Sequence, residues 1–253
     1  PAHGDGVNCN YGATVPNYIP DQVINHGDTV YLLSSANRRV YRWSIATGSY
    51  LNPYVVGIDQ GFSTIAPTKM AYSSAHERLY LGYGTGAIRY IDVSSGSVVE
   101  VPFANTAGQV NGLAAAGNYL LVQDSGGWAT HYVIDSSGVI TDQESGYRYS
   151  RELAWDPVNS RVYHFRDGIS PNDLHYAAID QATGQIGAQG ETPYHGDYVI
   201  QPPIRVSTDG QYILLGSGDL YNQAGLAWWG SLGKPIADAH WLDRLIVDVD
   251  TTD

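Results

Sequence analysis

Residues Ile91-Asp-Val-Ser-Ser-Gly-Ser-Val98 end one apolar strand, pass through a small polar pair and a glycine, and begin another strand. The same arrangement recurs at 43–48, 133–138 and 179–184. Glycine readily takes the positive φ that a tight reversal requires, so each segment predicts a turn between two antiparallel strands. Because one turn sequence returns at intervals along the chain, it indicates a repeated structural unit.

A second marker, a polar turn followed by a strongly apolar strand, lies upstream of these glycine turns. Such strands begin at Val30, Leu79, Tyr119, Val162, Tyr212 and Leu245. The starts are roughly 33 to 50 residues apart, and a further short strand precedes most of the turns. Four strands in about 40–50 residues is the period of a propeller blade. The sequence therefore predicts an all-β fold, a β-propeller of four-stranded blades. A β-sandwich or barrel also has evenly spaced strands, but it would not repeat one turn sequence at one place.

The repeats divide the chain into five complete blades and part of a sixth. The blades are predicted at about 22–57, 66–103, 107–146, 149–193 and 199–233, with the partial blade at 236–253. Two strands alone leave an open sheet edge. Either the N-terminal segment 1–21 supplies a closing strand, or the natural protein continues beyond residue 253 as a six- or seven-bladed propeller, which we favour. Mid-strand positions in the repeats should be buried between blades: Leu81, Leu121, Tyr163 and Leu214.

Two of the repeats resemble the blades of the quinoprotein-like and YVTN-type β-propeller superfamily. They are Ile91-Asp-Val-Ser-Ser-Gly-Ser-Val98 and Val206-Ser-Thr-Asp-Gly-Gln-Tyr-Ile213. The resemblance covers roughly residues 22–250 and concerns single blades. It implies a ring of seven blades and no particular activity.

The composition limits the partners and the compartment. The formal net charge is −12, and Lys69 and Lys234 are the only lysines. Nucleic acid and anionic membrane surfaces both require a basic patch, so neither is expected as a partner. No apolar run is long enough to insert in a membrane. Cys9 is the single cysteine, which permits no internal disulfide. The acidic, lysine-poor composition favours an exported protein that is secreted, periplasmic or at the cell surface.

Three His-Gly-Asp segments are the candidates for metal binding. His3 with Asp5 and His195 with Asp197 would together supply four ligands. The third segment, at 26–28, falls where the repeat requires a turn, and Gly-Asp is a common turn pair. We therefore interpret the segments as turns and predict that no transition metal or other cofactor is needed. Three carboxylates near the end of the chain suggest Ca²⁺, but without an EF-hand pattern they are better explained as an acidic strand end: Asp248, Asp250 and Asp253.

Linear catalytic motifs are missing from the sequence. It has no G-x-S-x-G, H-E-x-x-H, P-loop or C-x-x-C. The glycine-rich segment 82–86 joins two strands, so it predicts a hairpin and lacks the helix N-terminus of a phosphate site. Glu100, Glu144 and Glu152 fall in different blades, and nothing in the sequence pairs two of them for glycoside chemistry.

Trp228 and Trp229 are the candidate binding residues. Neighbouring strand residues point to opposite faces, so one ring should face the core between blades. The other would then be exposed as a platform for a sugar or a contact for a protein.

The leading hypothesis is an exported, non-enzymatic module that presents propeller loops to a protein or glycan ligand. The first alternative is a lyase or hydrolase whose site assembles from several blades at the central channel, which would leave no linear motif. The second is a structural domain of a larger surface protein. Propellers serve all three purposes, so the fold alone does not choose among them.

Overall fold

The computed structural model describes residues 17–57, 65–146, 149–242 and 245–250. Five four-stranded antiparallel sheets are the blades of a β-propeller, and a two-stranded sheet follows them. The described residues contain no helix, and so none that is long and apolar enough to cross a membrane. The all-β class and the five four-stranded blades predicted from the repeats are confirmed.

Pro1–Asn105 form one compact unit, which holds blades 1 and 2. Within each blade the strands pair in chain order. Blade 1 consists of β1 (Gln22–His26), β2 (Thr29–Ser34), β3 (Arg39–Ser44) and β4 (Ser49–Val55), and blade 2 of β5 (Pro67–Ser73), β6 (Arg78–Tyr83), β7 (Ala87–Asp92) and β8 (Val101–Asn105).

Thr106–Asp253 form the second unit. Blade 3 consists of β9 (Val110–Ala116), β10 (Tyr119–Asp124), β11 (Thr130–Ile134) and β12 (Ile140–Ser145), and blade 4 of β13 (Leu153–Asp156), β14 (Arg161–Phe165), β15 (Leu174–Ile179) and β16 (Ile186–Glu191). Blade 5 consists of β17 (Ile204–Val206), β18 (Tyr212–Leu215), β19 (Asp219–Asn222) and β20 (Trp228–Ser231), and the terminal hairpin of β21 (Ile236–Leu242) and β22 (Leu245–Asp250). The first strands of successive blades in this unit are neighbours.

The glycine turns have the backbone conformation that the repeat predicts. Gly48, Gly96, Gly138 and Gly184 have φ of 60°, 68°, 89° and 70°. An L side chain at these positions would be strained, which explains why each of the four related turns ends in glycine. The segment 82–86 contains the end of β6 and the turn that joins it to β7, so it is part of a hairpin, as predicted.

Within each unit, the core consists of apolar clusters between successive blades. In the first unit, Leu81 packs with buried residues of blades 1 and 2. In the second unit, Leu121 lies between blades 3 and 4, Tyr163 between blades 4 and 5, and Leu214 between blade 5 and the terminal hairpin. All four side chains are at most 1% exposed. Their predicted burial is confirmed.

The segment proposed as a closing strand lies mostly outside the described residues. Residues 17–20 are described and form no strand. The ring of Tyr18 stacks on Tyr41 of β3, with the two centroids 4.6 Å apart. This contact attaches the segment to blade 1 of the same unit.

Candidate functional site

A groove of about 370 Å³ opens between blade 5 and the terminal hairpin. Every strand that contributes to it belongs to the second unit. Its residues come from β18, β19 and β20 of blade 5, from the turn before β18, from the residue after β20 and from both strands of the hairpin: Ser207, Asp209, Tyr212, Leu220, Trp229, Gly230, Ser231, Leu232, Trp241 and Ile246. A concave, largely apolar site with a few polar groups is the usual form of a binding site.

Three aromatic side chains form one wall of the groove. The Tyr212 ring lies 5.0 Å from the Trp229 ring and 6.4 Å from the Trp241 ring, measured between centroids. Trp241 is 6% exposed, and its indole Nε1 donates a hydrogen bond to the Arg205 carbonyl oxygen at 3.0 Å. Trp229 is 61% exposed. A fixed, buried indole thus supports an aromatic wall whose outer ring is accessible to a ligand.

Trp228 lies on the opposite face of blade 5. Its ring stacks on Tyr198 with centroids 5.4 Å apart and an interplanar angle of 11°. Its Nε1 donates to Asp219 Oδ1 at 3.1 Å, and its backbone N–H donates to the Tyr194 hydroxyl at 2.9 Å. These contacts fix the Trp228 ring against the connection that leads from blade 4 into blade 5.

The expected alternation of the two tryptophans is therefore present, but the expectation that one of them faces the core is wrong. Trp228 is 38% exposed and Trp229 is 61% exposed. The reason is their position on β20, the outermost strand of blade 5. Both faces of that strand border solvent, so alternation places neither ring in the interior.

The polar groups of the groove belong mainly to the turn before β18. The Ser207 hydroxyl donates to Asp209 Oδ1 at 2.7 Å and accepts the backbone N–H of Tyr212 at 2.9 Å. These bonds hold the turn and orient Tyr212 toward the groove. Asp209 is the single carboxylate among the lining residues, and histidine and cysteine are not among them. The groove can bury apolar groups and stack on rings, and among its described lining residues no acid and base are paired.

The His-Gly-Asp segments that the structure describes are turns. Gly27 and Gly196 both have positive φ, and His195 itself has a φ of 48°. His195 Nδ1 lies 3.6 Å from Asp173 Oδ2, and the Asp197 backbone N–H bonds to the Tyr194 carbonyl. His3 and Asp5 lie outside the described residues. Within residues 17–57, 65–146, 149–242 and 245–250, no three His, Cys, Asp or Glu side chains are grouped to hold a metal ion.

The acidic residues near the chain end are only partly described. Asp248 Oδ2 lies 3.1 Å from Lys234 Nζ, so this carboxylate forms an ion pair within the protein. Asp250 belongs to β22, and Asp253 is outside the described residues.

The three glutamates weighed as catalytic groups each take part in a separate structural contact. Glu100 accepts hydrogen bonds from the Gly57 N–H and the Tyr83 hydroxyl. Burial and the neighbouring Glu100 charge raise the pKa of Tyr83, so its hydroxyl stays protonated and donates. Glu144 accepts from Gln189 Nε2 at 2.6 Å. Glu152 Oε1 lies 2.8 Å from Arg205 Nη1.

A cluster of three histidines between blades 3 and 4, of which His131 and His164 are buried, was not predicted. The His131 and His164 ring centroids are 4.6 Å apart, and those of His164 and His175 are 5.4 Å apart. His164 Nδ1 lies 3.1 Å from the Phe165 carbonyl oxygen, which can only accept, so this nitrogen carries the proton. His175 Nδ1 lies 3.5 Å from Glu191 Oε2. The only sequence signal was a histidine within apolar strand segments such as Arg161–Phe165.

Comparison with known proteins supports the fold and leaves the activity open. No family model and no curated protein matches the chain, so the resemblance to the quinoprotein-like and YVTN-type superfamily stays a prediction. Hydrazine synthase of Kuenenia stuttgartiensis is similar in structure, with a TM-score of 0.60 and 16% identity over 80% of this chain. A chain of the Mitotic Checkpoint Complex has a TM-score of 0.63 and 15% identity over 89% of this chain. The computationally designed Ika8 protein has a TM-score of 0.58 and 12% identity over 94%.

The share of each of those solved chains that this chain covers also differs. This chain covers 55% of the hydrazine synthase chain and 71% of each of the other two chains. At such low identity the likeness shows the propeller fold alone.

Proposed function

We propose that this chain is a non-enzymatic binding module whose aromatic groove takes apolar side chains of a protein ligand. The observation that carries the proposal is the Trp229 ring, 61% exposed beside a groove of about 370 Å³. Large apolar side chains on a surface are expensive to hydrate, and an aromatic ring next to a cavity is a typical centre of binding energy.

The chemistry of the lining supports binding over catalysis. Its single carboxylate, Asp209, has no histidine or second acid beside it among the lining residues. General acid–base catalysis needs a group positioned to give or take a proton, and paired groups are its usual sign. A chain of the Mitotic Checkpoint Complex with a similar fold gives an example of a propeller within a protein assembly.

The proposed compartment and ligand charge come from composition. With a net charge of −12, the module repels nucleic acid and anionic lipid surfaces. We place it outside the cytoplasm, as a secreted, periplasmic or cell-surface protein. Fractionation of the source cells, with an antibody to the chain, tests this placement, and recovery in the cytosol would contradict it.

A glycan is the second candidate ligand, and one observation favours it. The exposed Trp229 ring lies in the same groove as the hydroxyls of Ser207 and Ser231 and the carboxylate of Asp209. A sugar ring can stack on an indole while its hydroxyls bond to such groups. A binding experiment can distinguish a protein ligand from a glycan ligand.

The test is selection of ligands from a random peptide library displayed on phage, in parallel with a glycan array. The matched variants are Trp229→Ala and Trp128→Ala, because Trp128 is also exposed (60%) but lies in the turn between β10 and β11. We expect selected peptides whose binding is lost in Trp229→Ala and retained in Trp128→Ala. Array hits with the same dependence would establish the glycan ligand instead. Equal binding by both variants would refute the groove as the site.

A further inference from the structure

The histidine cluster between blades 3 and 4, formed by His131, His164 and His175, continues the apolar contact between these blades. His131 lies two residues before Val133 on β11, and His164 lies two residues after Val162 on β14. Side chains two apart on a strand share a face, and both valines belong to the apolar cluster, so both imidazoles face the contact. His175 of β15 is the register partner of His164 and extends the cluster.

Solvent is largely excluded from the histidine cluster. His131 and His164 are each 1% exposed, and the His175 side chain is 12% exposed. The ring centroids of His131 and His164 are 4.6 Å apart, and those of His164 and His175 are 5.4 Å apart. A charged imidazole in this place loses its hydration, and a second charge beside it adds repulsion at short range. Each further proton is therefore harder to place in the packed contact.

Two carboxylates face the histidine cluster from the outermost strands of the two blades. Glu144 of β12 is the register partner of His131, and Glu191 of β16 is the register partner of His175. Glu191 Oε2 lies 3.5 Å from His175 Nδ1 and 3.6 Å from Arg166 Nη1, so this carboxylate also balances a guanidinium. The two carboxylates can thus balance positive charge on the two outer rings of the cluster.

The central ring of the cluster, His164, has different neighbours. Its register partners are His175 on β15 and Leu153 on β13, and the His131 ring meets it edge-on. Its Nδ1 already donates to the Phe165 carbonyl oxygen, so a second proton would be added at the buried Nε2. A charge on this ring would therefore lie between two other imidazoles.

Other side chains at this end of blades 3 and 4 leave that balance unchanged. Gln123 of β10, which carries no charge, is the register partner of His131. Further charged side chains that the structure describes in or beside the turns at this end have contacts of their own: Arg151 with Asp167, Glu152 with Arg205, Asp173 with Thr192 and His195, and Asp124 with Tyr132. The cluster thus combines three imidazoles with two facing carboxylates, one of which is shared with an arginine.

We propose that the histidine cluster makes the contact between blades 3 and 4 a pH-sensitive switch. In the closed contact His164 is neutral, and protonation of all three rings in acid separates the facing sides of the two blades. The cluster lies in blades 3 and 4, away from the groove of blade 5, and the switch does not depend on the proposed function.

The direction of the switch follows from proton binding in the two states. A hydrated histidine takes up a proton near about pH 6.5. In the open contact all three rings are hydrated and can be charged, whereas the closed contact binds fewer protons. The closed contact is therefore fully favoured above about pH 6.5 and loses its advantage as the pH falls, by about tenfold per pH unit for each extra proton that opening takes up.

The accessibility of a buried thiol measures the opening of the contact. Ala177→Cys places a thiol in the apolar cluster between blades 3 and 4, where Ala177 is 1% exposed. Val139→Cys gives the reference rate, because Val139 is 58% exposed, and Ile213→Cys reports on the contact between blades 4 and 5. All three are made in the whole chain with Cys9→Ser, since Cys9 is the single cysteine, and are labelled with 4,4′-dithiodipyridine.

The expected result is a pH-dependent rise that is confined to one contact. The labelling rate of Ala177→Cys, divided by that of Val139→Cys, should rise about tenfold or more between about pH 7.5 and about pH 5.5. The same ratio for Ile213→Cys should stay unchanged. An unchanged ratio for Ala177→Cys, or an equal rise for Ile213→Cys, would overturn the switch, because the contact between blades 3 and 4 would then not open by itself.

A histidine variant and its matched control assign the rise to the cluster. His164→Gln removes the central proton acceptor but keeps a polar side chain, and His240→Gln removes an exposed histidine of the same unit. We expect the rise for Ala177→Cys to be lost in His164→Gln and kept in His240→Gln. An equal rise in both variants contradicts the role of the cluster.

Imidazole ¹⁵N spectra of the wild-type chain keep the proposal testable if His164→Gln does not fold. The spectra distinguish a neutral ring from a charged one, and each histidine is assigned through its own backbone signals. We expect His164 to become charged over the same pH range in which the Ala177→Cys thiol becomes accessible. A charged His164 in a chain whose Ala177→Cys thiol stays protected would overturn the proposal.

Discussion

Leu121→Ala measures how far stability depends on the packing between blades 3 and 4. Leu121 is 1% exposed on β10, and it belongs to a cluster with Val133 of its own blade and with Val162 and Ile179 of blade 4. The substitution removes the equivalent of three buried methylene groups, worth about 2.4 kcal/mol at about 0.8 kcal/mol each. The surrounding strands are held by their hydrogen bonds and cannot close the space fully, so a cavity cost is added. The expected loss is about 2–5 kcal/mol.

The assay is urea denaturation of the wild-type chain and the variant, with the free energy of unfolding obtained by linear extrapolation. Val139→Ala is the matched control, because Val139 lies in the same blade and is 58% exposed. Its effect should stay within about 0.5 kcal/mol. A loss below about 1 kcal/mol for Leu121→Ala, or equal losses for both variants, would refute the placement of this strand at the contact between blades.

Three further outcomes are expected. Burial, and then the charge of Arg78, lower the pKa of His76 from 6.5, so the unfolded chain binds the proton more tightly than the folded chain; the stability present above pH 6.5 is therefore lost as the pH falls through the lower pKa of the folded state. Urea denaturation at a series of pH values below 6.5 should show a smaller loss of stability in His76→Gln than in the wild-type chain, and an equal loss would contradict this role of His76. Buried Asp124 accepts hydrogen bonds from three backbone N–H groups and from the Tyr132 hydroxyl. Asp124→Ala should therefore lower the free energy of unfolding by about 2–4 kcal/mol, and Asp124→Asn, which keeps one acceptor oxygen, should lower it by less. A larger loss for Asp124→Asn than for Asp124→Ala in urea titrations would be inconsistent with this role. Thermal melts with and without a chelator should coincide, whereas a drop of several degrees that His195→Ala abolishes would show that a metal supports the fold.

The candidate site depended on contacts that no local pattern contains. Tyr212, Trp229 and Trp241 lie on three strands, and only Trp229 was a candidate from the sequence. The sequence correctly placed the paired tryptophans on alternate faces, but it did not identify β20 as an outermost strand with solvent on both sides. The histidine cluster was missed for the same reason, since His131 and His164 meet across two blades.

The sequence by itself determined the repeat, the strands and the turns of this protein. Apolar alternation specifies a strand over a few residues, and a glycine such as Gly96, with its φ of 68°, specifies a reversal at a single position. Both are local properties, so they can be recognised along the chain. The tertiary structure alone decided which faces meet, which strand is outermost and where the packing leaves a groove. Those properties depend on side chains far apart in sequence, because the distances between them are set only when the blades pack together.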